Sequence, residues 1–329
     1  MTYTLLSMVQ QVTGELGLPQ PSSVATNSDP QVVQFFNLFQ RELTELRQCK
    51  SDGWTVLQTL WIIQVANPIT ILGDLTEGST LIQNLSSTAT FSTNPTTYLI
   101  TDSSGNLPVS TRLVSVNTSA STLIVDSQAN GSATQATLTV MQDTYAMPTD
   151  FDFYIGTTWW DRTNRWALLG PDSPQIDQWH RSGIYVTGPR RHFRQLGQLP
   201  NAWRIWPPLS TASTTPQELV FEYSSQNAVI VTPFGGGTTT TAALFANDTD
   251  IPILDAQAIM LGVKWRWAQA KRYQYADYQQ EYLDYVDRLK ARDGGNRIQS
   301  LSPEPAPDYI TPSSTPDGFW PGNSSITGQ

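Results

Sequence analysis

From its first residues the chain sets apolar side chains at helical spacing. Leu5, Leu6, Val9, Val12 and Leu16 recur at steps of three and four, which puts them on one helical face. Gly17, Pro19 and Pro21 end that helix. Asp29-Pro30 then supplies a cap followed by proline in the first turn, and Val32, Val33, Phe36, Phe39, Leu43 and Leu46 carry a second helix to about Lys50. Asp52-Gly53 breaks it, and an extended segment runs from Trp54 to about Val65. Both helices are short, so each must pack its stripe against something else. Residues 1–65 read as an N-terminal helical part.

From 66 to 143 the period changes. Short runs rich in Val, Leu, Ile and Thr at 70–72, 80–85, 97–101, 112–116, 122–125 and 137–141 predict strands. Ser104-Gly105-Asn106 and Asn130-Gly131 are turn signals between them. The stretch reads as a small inserted all-β module, a sandwich or barrel. Disorder is the competing reading for sequence so poor in charge, and the regular alternation of apolar residues favours order.

Residues 144–250 read as an aromatic-rich β region, strand-like at 184–187, 192–195, 203–206 and 219–223. Six of the eleven tryptophans lie between Trp159 and Trp206, among Arg162, Arg165, Arg181, Arg190, Arg191, Arg194 and Arg204. Such a mixture can stack on single-stranded nucleic acid, anchor a protein interface or hold a sugar. It can equally fill a β-rich core, with the arginines pairing to Asp161, Asp172 and Asp177. Gly235-Gly236-Gly237 lacks the lysine and spacing of a phosphate-binding loop.

The stretch 251–296 predicts one long helix. Asp250 and Pro252 open it and Gly294-Gly295 closes it, a span of roughly forty residues. Its stripe is Ala256, Ile259, Met260, Val263, Trp267 and Ala270, continued by Tyr278, Tyr282, Tyr285 and Leu289. A helix of that length must lie against neighbouring helices or a partner subunit. Residues 297–329 have no periodicity, and Pro303, Pro305, Pro307, Pro312, Pro316 and Pro321 favour an extended arm. Tyr309, Ile310, Phe319 and Trp320 are spaced along it as anchors that would order on a partner.

Composition narrows the chemistry. Charged residues make up 14% of the chain, against roughly 25% in ordinary domains, and Ser, Thr, Asn and Gln take their place. The net charge of −9 argues against a general nucleic-acid binder, yet suits a channel wall past which DNA slides without sticking. Cys49 is the only cysteine, so neither an intramolecular disulfide nor a thiolate zinc site can form. His180 and His192 are the only histidines, twelve residues apart and without a nearby ligand cluster. Neither a histidine metal site nor a catalytic triad is expected, and no cofactor. Met1 to Leu16 lack the pattern of a secretory signal, and no run of about 18 apolar residues predicts a membrane span. Asp150 with Asp152, and Asp248 with Asp250 and Asp255, could in principle serve a glycosidase. The second group precedes a helix, where capping and the helix dipole already explain acidic residues. No catalytic residue is nominated and no enzyme is expected.

Several spaced motifs then carry a resemblance. They are Leu5-Leu6-Ser7-Met8-Val9 through Leu16-Gly17-Leu18-Pro19, Ser28-Asp29-Pro30-Gln31-Val32, and Asp150-Phe151-Asp152-Phe153 with Thr158-Trp159-Trp160-Asp161-Arg162-Thr163. Leu169-Gly170-Pro171-Asp172-Ser173-Pro174-Gln175, Phe221-Glu222-Tyr223-Ser224-Ser225-Gln226-Asn227 and Leu261-Gly262-Val263-Lys264-Trp265-Arg266-Trp267 complete them. In this order they resemble the virion structural proteins of tailed bacteriophages, and in architecture the head-to-tail adaptors, or tail tubular A-type proteins, of short-tailed phages. The resemblance implies an α+β chain with a helical adaptor core of N-terminal helices plus one long C-terminal helix. The β-rich middle, the inserted module and the extended arm complete that expected fold.

It further implies a non-enzymatic subunit of a twelve-fold homo-oligomeric ring at the head–tail junction of the virion, assembled in the host cytoplasm. The portal protein, tail tube or nozzle proteins and tail fibres would be its partners, and DNA would pass through without specific binding. The arm at 297–329, with Tyr309, Ile310, Phe319 and Trp320, would dock on the portal. Trp265, Trp267, Tyr278, Tyr282 and Tyr285 would pack the ring wall, with Trp159, Trp160, Arg162, Arg190 and Arg191 as further interface residues. A tail or collar protein whose β module touches receptor, carbohydrate or fibre is the alternative.

Overall fold

The computed structural model describes residues 3–87, 91, 93–182, 190–197, 202–209, 211–231 and 240–294. Among these are five α-helices: α1 (Leu5–Glu15), α2 (Pro30–Gln48), α3 (Pro174–Arg181), α4 (Ala256–Ala270) and α5 (Ala276–Arg292). The chain divides into two units built from separated stretches. The first is Met1–Trp61, Asp150–Thr157 and Glu222–Leu301; the second is Ile62–Thr149, Thr158–Phe221 and Ser302–Gln329.

The first unit holds four of the helices. A capping box starts α1: the Thr4 hydroxyl accepts the Ser7 N–H while the Ser7 hydroxyl oxygen accepts the Thr4 N–H at 2.8 Å. Leu5, Met8, Val9 and Val12 follow at helical spacing and are buried. Asp29 caps α2 by accepting the Gln31 N–H at 2.8 Å, and Phe35, Phe39, Leu43 and Leu46 form its buried stripe. Asp255 caps α4 through the Ala258 N–H at 2.9 Å. This helix is apolar nearly all round, from Ala258 to Val263, so it must be enclosed. It is: α1, α2 and α5 all pack against it.

The contact of α2 with α4 encloses a charge. Glu42 sits on the apolar face of α2 and is completely buried. A Cβ at Gly262 would lie 2.1 Å from the Glu42 Cδ, so only glycine leaves room for this carboxylate. One turn further along α4, Arg266 Nε donates to Glu42 Oε2 at 2.6 Å, and its Nη2 donates to Glu45 Oε2 at 2.5 Å. Burial pushes the Glu42 carboxyl up, against the opposing pull of Tyr282 and Arg266. On the α1 side, Lys264 pairs with Glu15.

The expected single helix over residues 255–292 is two helices. The chain turns at Arg272, whose φ of +60° lies in the left-handed region, and α5 folds back on α4. Trp265 meets Tyr282 with ring centroids 6.2 Å apart, and the Tyr285 hydroxyl donates to the Asp255 carboxylate at 3.2 Å. In an unbroken helix those last two residues would stand about 45 Å apart. Together with several small antiparallel sheets, in which strand residues outnumber helical ones, this overturns the reading of a helical core with one long C-terminal helix. Burial of Tyr282 and Val286 on α4 outweighs the local helical pattern.

The second unit is β-rich. Strands Ile69–Leu75, Ala133–Gln142 and Tyr98–Asp102 form one antiparallel sheet, and Leu81–Ile82, Thr122–Val125 and Leu113–Asn117 another. Ile71, Ile82, Ile100, Leu113, Leu123 and Leu138 meet in one shared core. The six runs read from the sequence fall on these strands. A third sheet orders His192–Leu196, Ala202–Trp206 and Thr144–Ala146. Trp203 is wholly buried there, stacked between Phe193 at 4.4 Å and Phe221 at 3.8 Å. No helix among the described residues is long and apolar enough to cross a membrane.

Replacing a mid-helix glycine by alanine ordinarily stabilises a helix by about 1 kcal/mol. Gly262→Ala is expected to do the opposite, lowering stability by about 1–3 kcal/mol through overpacking against Glu42. The urea midpoint of the purified chain measures the sign.

Candidate functional site

The polar groups of the second unit converge on two buried aspartates. Asp143, fully buried, accepts a forked pair of bonds from Arg112, Nη1 to Oδ1 at 3.0 Å and Nη2 to Oδ2 at 2.6 Å. The Thr144 hydroxyl adds a bond at 2.7 Å and Arg181 Nη2 another at 3.1 Å. Arg181 also reaches Asp177 one turn back on α3, Nε to Oδ1 at 3.1 Å, and Arg194 Nη1 donates to Asp177 Oδ2 at 2.8 Å. Arg204 lies 3.4 Å from Asp177 and 3.8 Å from Asp143. Four guanidiniums thus meet two carboxylates, linking the β module, α3 and the third sheet. Burial alone would raise the Asp177 carboxyl, but Arg181, Arg194 and Arg204 outweigh it and hold it below the usual range.

Beside this network lies a cluster that the sequence reading passed over. The segment after Leu169 runs along strand His192–Leu196: the Leu169 N–H donates to the Arg191 carbonyl at 2.9 Å, and the Asp172 N–H to the Phe193 carbonyl at 2.8 Å. That pairing sets Asp172 next to His192. Ser173 then caps α3, whose buried face carries Asp177 and His180 at a three-residue step. Asp172 Oδ1 stands 3.3 Å from His192 Nδ1, and Oδ2 stands 3.6 Å from His180 Nε2. The two imidazole centroids are 4.3 Å apart. Burial first, and then His192, push the His180 imidazole below its usual range. The expectation that the histidines have no ligand neighbours is overturned. Twelve residues of sequence become one site because a cap and a parallel bridge fold them together.

The residues nominated from sequence are dispersed. Trp267 is buried and stacks on Phe35 at 5.9 Å, and Tyr282 is buried as well, so both serve the interior of the first unit. Trp265 and Tyr285 are half-buried, Trp265 lying 4.4 Å from the Arg266 guanidinium. Tyr278 is on the surface, with Tyr273, Tyr275 and Leu283, which the sequence reading did not single out. Trp159 packs on Phe193 at 5.1 Å and Trp160 lies in a strand paired with Val220 and Ala167. Arg162 and Arg190 are exposed, whereas Arg191 is buried against Gln217. Tyr309, Ile310, Phe319 and Trp320 lie outside the described residues.

No family model matches the chain, and no curated protein matches it in sequence.

The carboxylates weighed for catalysis all have structural partners. Asp150 accepts from the Tyr223 hydroxyl at 2.9 Å and the Ser225 hydroxyl at 2.6 Å, while Asp152 pairs with Arg47 at 3.0 Å. Asp248 accepts the N–H groups of Val24 and Ala25, and Asp250 those of Ala246 and Asn247. Of the acids expected to pair with arginine, Asp177 does so. Asp161 instead accepts from Asn164, and Asp172 faces the two histidines, because local turns reach them first.

A carboxyl held low in the folded state stabilises fully above its unfolded value, about pH 4, and loses that contribution as pH falls through the folded one. Asp177→Asn should therefore be clearly less stable than the parent chain at pH 7. The gap in urea midpoint should narrow steadily below about pH 4.

Proposed function

We propose that this chain is a structural subunit of the head-to-tail ring of a tailed bacteriophage, assembling with copies of itself between portal and tail and enclosing the path of the DNA. The observation that carries the proposal on the protein's surface is the set of large apolar side chains left exposed on the α4–α5 hairpin. There Tyr273, Tyr278 and Leu283 are 60%, 40% and 46% exposed, although α5 has other apolar residues well buried on α4. Exposed side chains of this kind suit burial against a second copy. The spaced motifs that resemble phage virion proteins support the same reading, as do the structural partners of every carboxylate weighed for catalysis. A net charge of −9 suits a passage that must not hold DNA. Twelve copies, a portal-docking role for the residues after Arg297, and contact with tail tube or nozzle proteins follow from the resemblance.

The alternative, a carbohydrate-contacting module, finds less support. Residues 66–143 contain no tryptophan, and the one exposed tryptophan among the described residues, Trp179, is on α3.

Electron microscopy of the full chain, alone and mixed with its phage's portal ring, tests the proposal. Rings are expected, and a Tyr278→Glu, Leu283→Glu chain should keep the parent circular dichroism while assembling at least about tenfold more weakly, the effect of some 1.4 kcal/mol. A chain that stays monomeric and fails to bind the portal ring refutes the assignment.

A further inference from the structure

We propose that Asp172, His180 and His192 form a binding site for one divalent late-transition-metal ion, of which zinc fits best. This goes beyond the ring assignment and does not depend on it.

The spacing of the three side chains decides between a metal site and a hydrogen-bonded triad. One ligand atom from each residue can be chosen so that all three lie within 4.8 Å of one another. Zinc–nitrogen and zinc–oxygen bonds of about 2.0–2.2 Å at tetrahedral angles set neighbouring ligand atoms roughly 3.3–3.5 Å apart. Asp172 Oδ1 and His192 Nδ1, 3.3 Å apart, match that polyhedron edge, and the other carboxylate oxygen stands 3.6 Å from His180 Nε2, just beyond it. As a hydrogen bond the 3.6 Å contact is too long, and 3.3 Å lies beyond the usual N–H···O range. One carboxylate therefore turns a different oxygen toward each imidazole, with a long hydrogen bond to His192.

Charge and ligand type point the same way. Two imidazolium rings 4.3 Å apart would repel each other, whereas two neutral imidazoles with one carboxylate offer three lone pairs and a single negative charge. The nearby guanidiniums, which would oppose a cation, are engaged by Asp143 and Asp177. Imidazole nitrogen selects zinc, nickel, cobalt or copper over magnesium and calcium, which prefer oxygen alone. His180 is almost wholly buried, and Asp172 and His192 are mostly so, hence the site is built into the fold. Three protein ligands leave one tetrahedral position for water or an incoming donor. Bound metal would pin the last turn of α3 to strand His192–Leu196.

The test uses the full chain dialysed against chelator and then given zinc alone. Competition with a chromophoric zinc indicator should show one ion per chain. Zinc at about a hundredfold excess over Kd should raise Tm by roughly 5–10 °C, with no comparable shift from magnesium. Cobalt in its place should give visible d–d absorption of tetrahedral strength. His192→Gln and Asp172→Asn change the less buried ligands and guard against simple misfolding. Each should keep the parent circular dichroism and bind zinc at least about tenfold more weakly, about 1.4 kcal/mol per tenfold. Absence of saturable one-to-one binding overturns the site. So does unchanged affinity in either variant, or a magnesium shift equal to that of zinc.

Discussion

Of the fully buried carboxylates among the described residues, Glu42 and Asp143 set the terms on which this chain folds. A carboxylate removed from water is stable only if donors replace its hydration, and unpaired burial would cost several kcal/mol. Glu42 meets that condition through Arg266 across the α2–α4 contact, Asp143 through Arg112, Arg181 and Thr144. In a chain with so few charges, these pairs fix which elements can neighbour which. A hydrophobic face tolerates sliding, but a forked arginine on a buried acid tolerates one register. Gly262 records the same constraint in the backbone, since any side chain there would occupy the carboxylate's place.

What the sequence made legible was whatever repeats locally. The α1 stripe, the Asp29 cap, part of the α2 stripe and the β-module runs, that at 80–85 only in part, were legible, whereas the Thr4 cap and the buried Phe35 were missed and Val33 is exposed. The hairpin break was not legible. Residues 271–275 read Lys-Arg-Tyr-Gln-Tyr, without glycine or proline, and Arg272 takes a left-handed conformation that costs roughly 1–2 kcal/mol. Only the packing of Tyr282 and Val286 on α4 repays that strain, and packing is not a local property. The Asp172–His180–His192 cluster was hidden for the same reason, its members lying on a loop, a helix and a strand. One signal was available and went unused: Glu42 falls on the apolar face of α2, between Phe39 and Leu46, where a charge needs a partner.

The functional reading gains from separating interior aromatics from surface ones. Trp203, Trp267 and Tyr282 are consumed by the cores. Among the described residues the exposed aromatics are Tyr273, Tyr275 and Tyr278 in the first unit and Trp179 in the second. In the ring proposed above, contact between copies would need few such residues, placed on stiff elements. Of the seven arginines of the middle region, Arg181, Arg194 and Arg204 are spent on Asp143 and Asp177 and Arg191 on Gln217, which leaves Arg162, Arg165 and Arg190 at the surface.

The end of α5 has a mechanical consequence. Asp293 is held by the Lys50 ammonium at 2.5 Å and by the Thr55 N–H at 3.1 Å, just past the end of α2. Tension applied to the chain beyond Gly294 meets that tie before it can peel α5 from α4. The pull is handed sideways into α2, whose buried Glu42–Arg266 lock spreads it through the bundle. A pull on the residues that follow would thus reach α2 before it reached the α4–α5 contact.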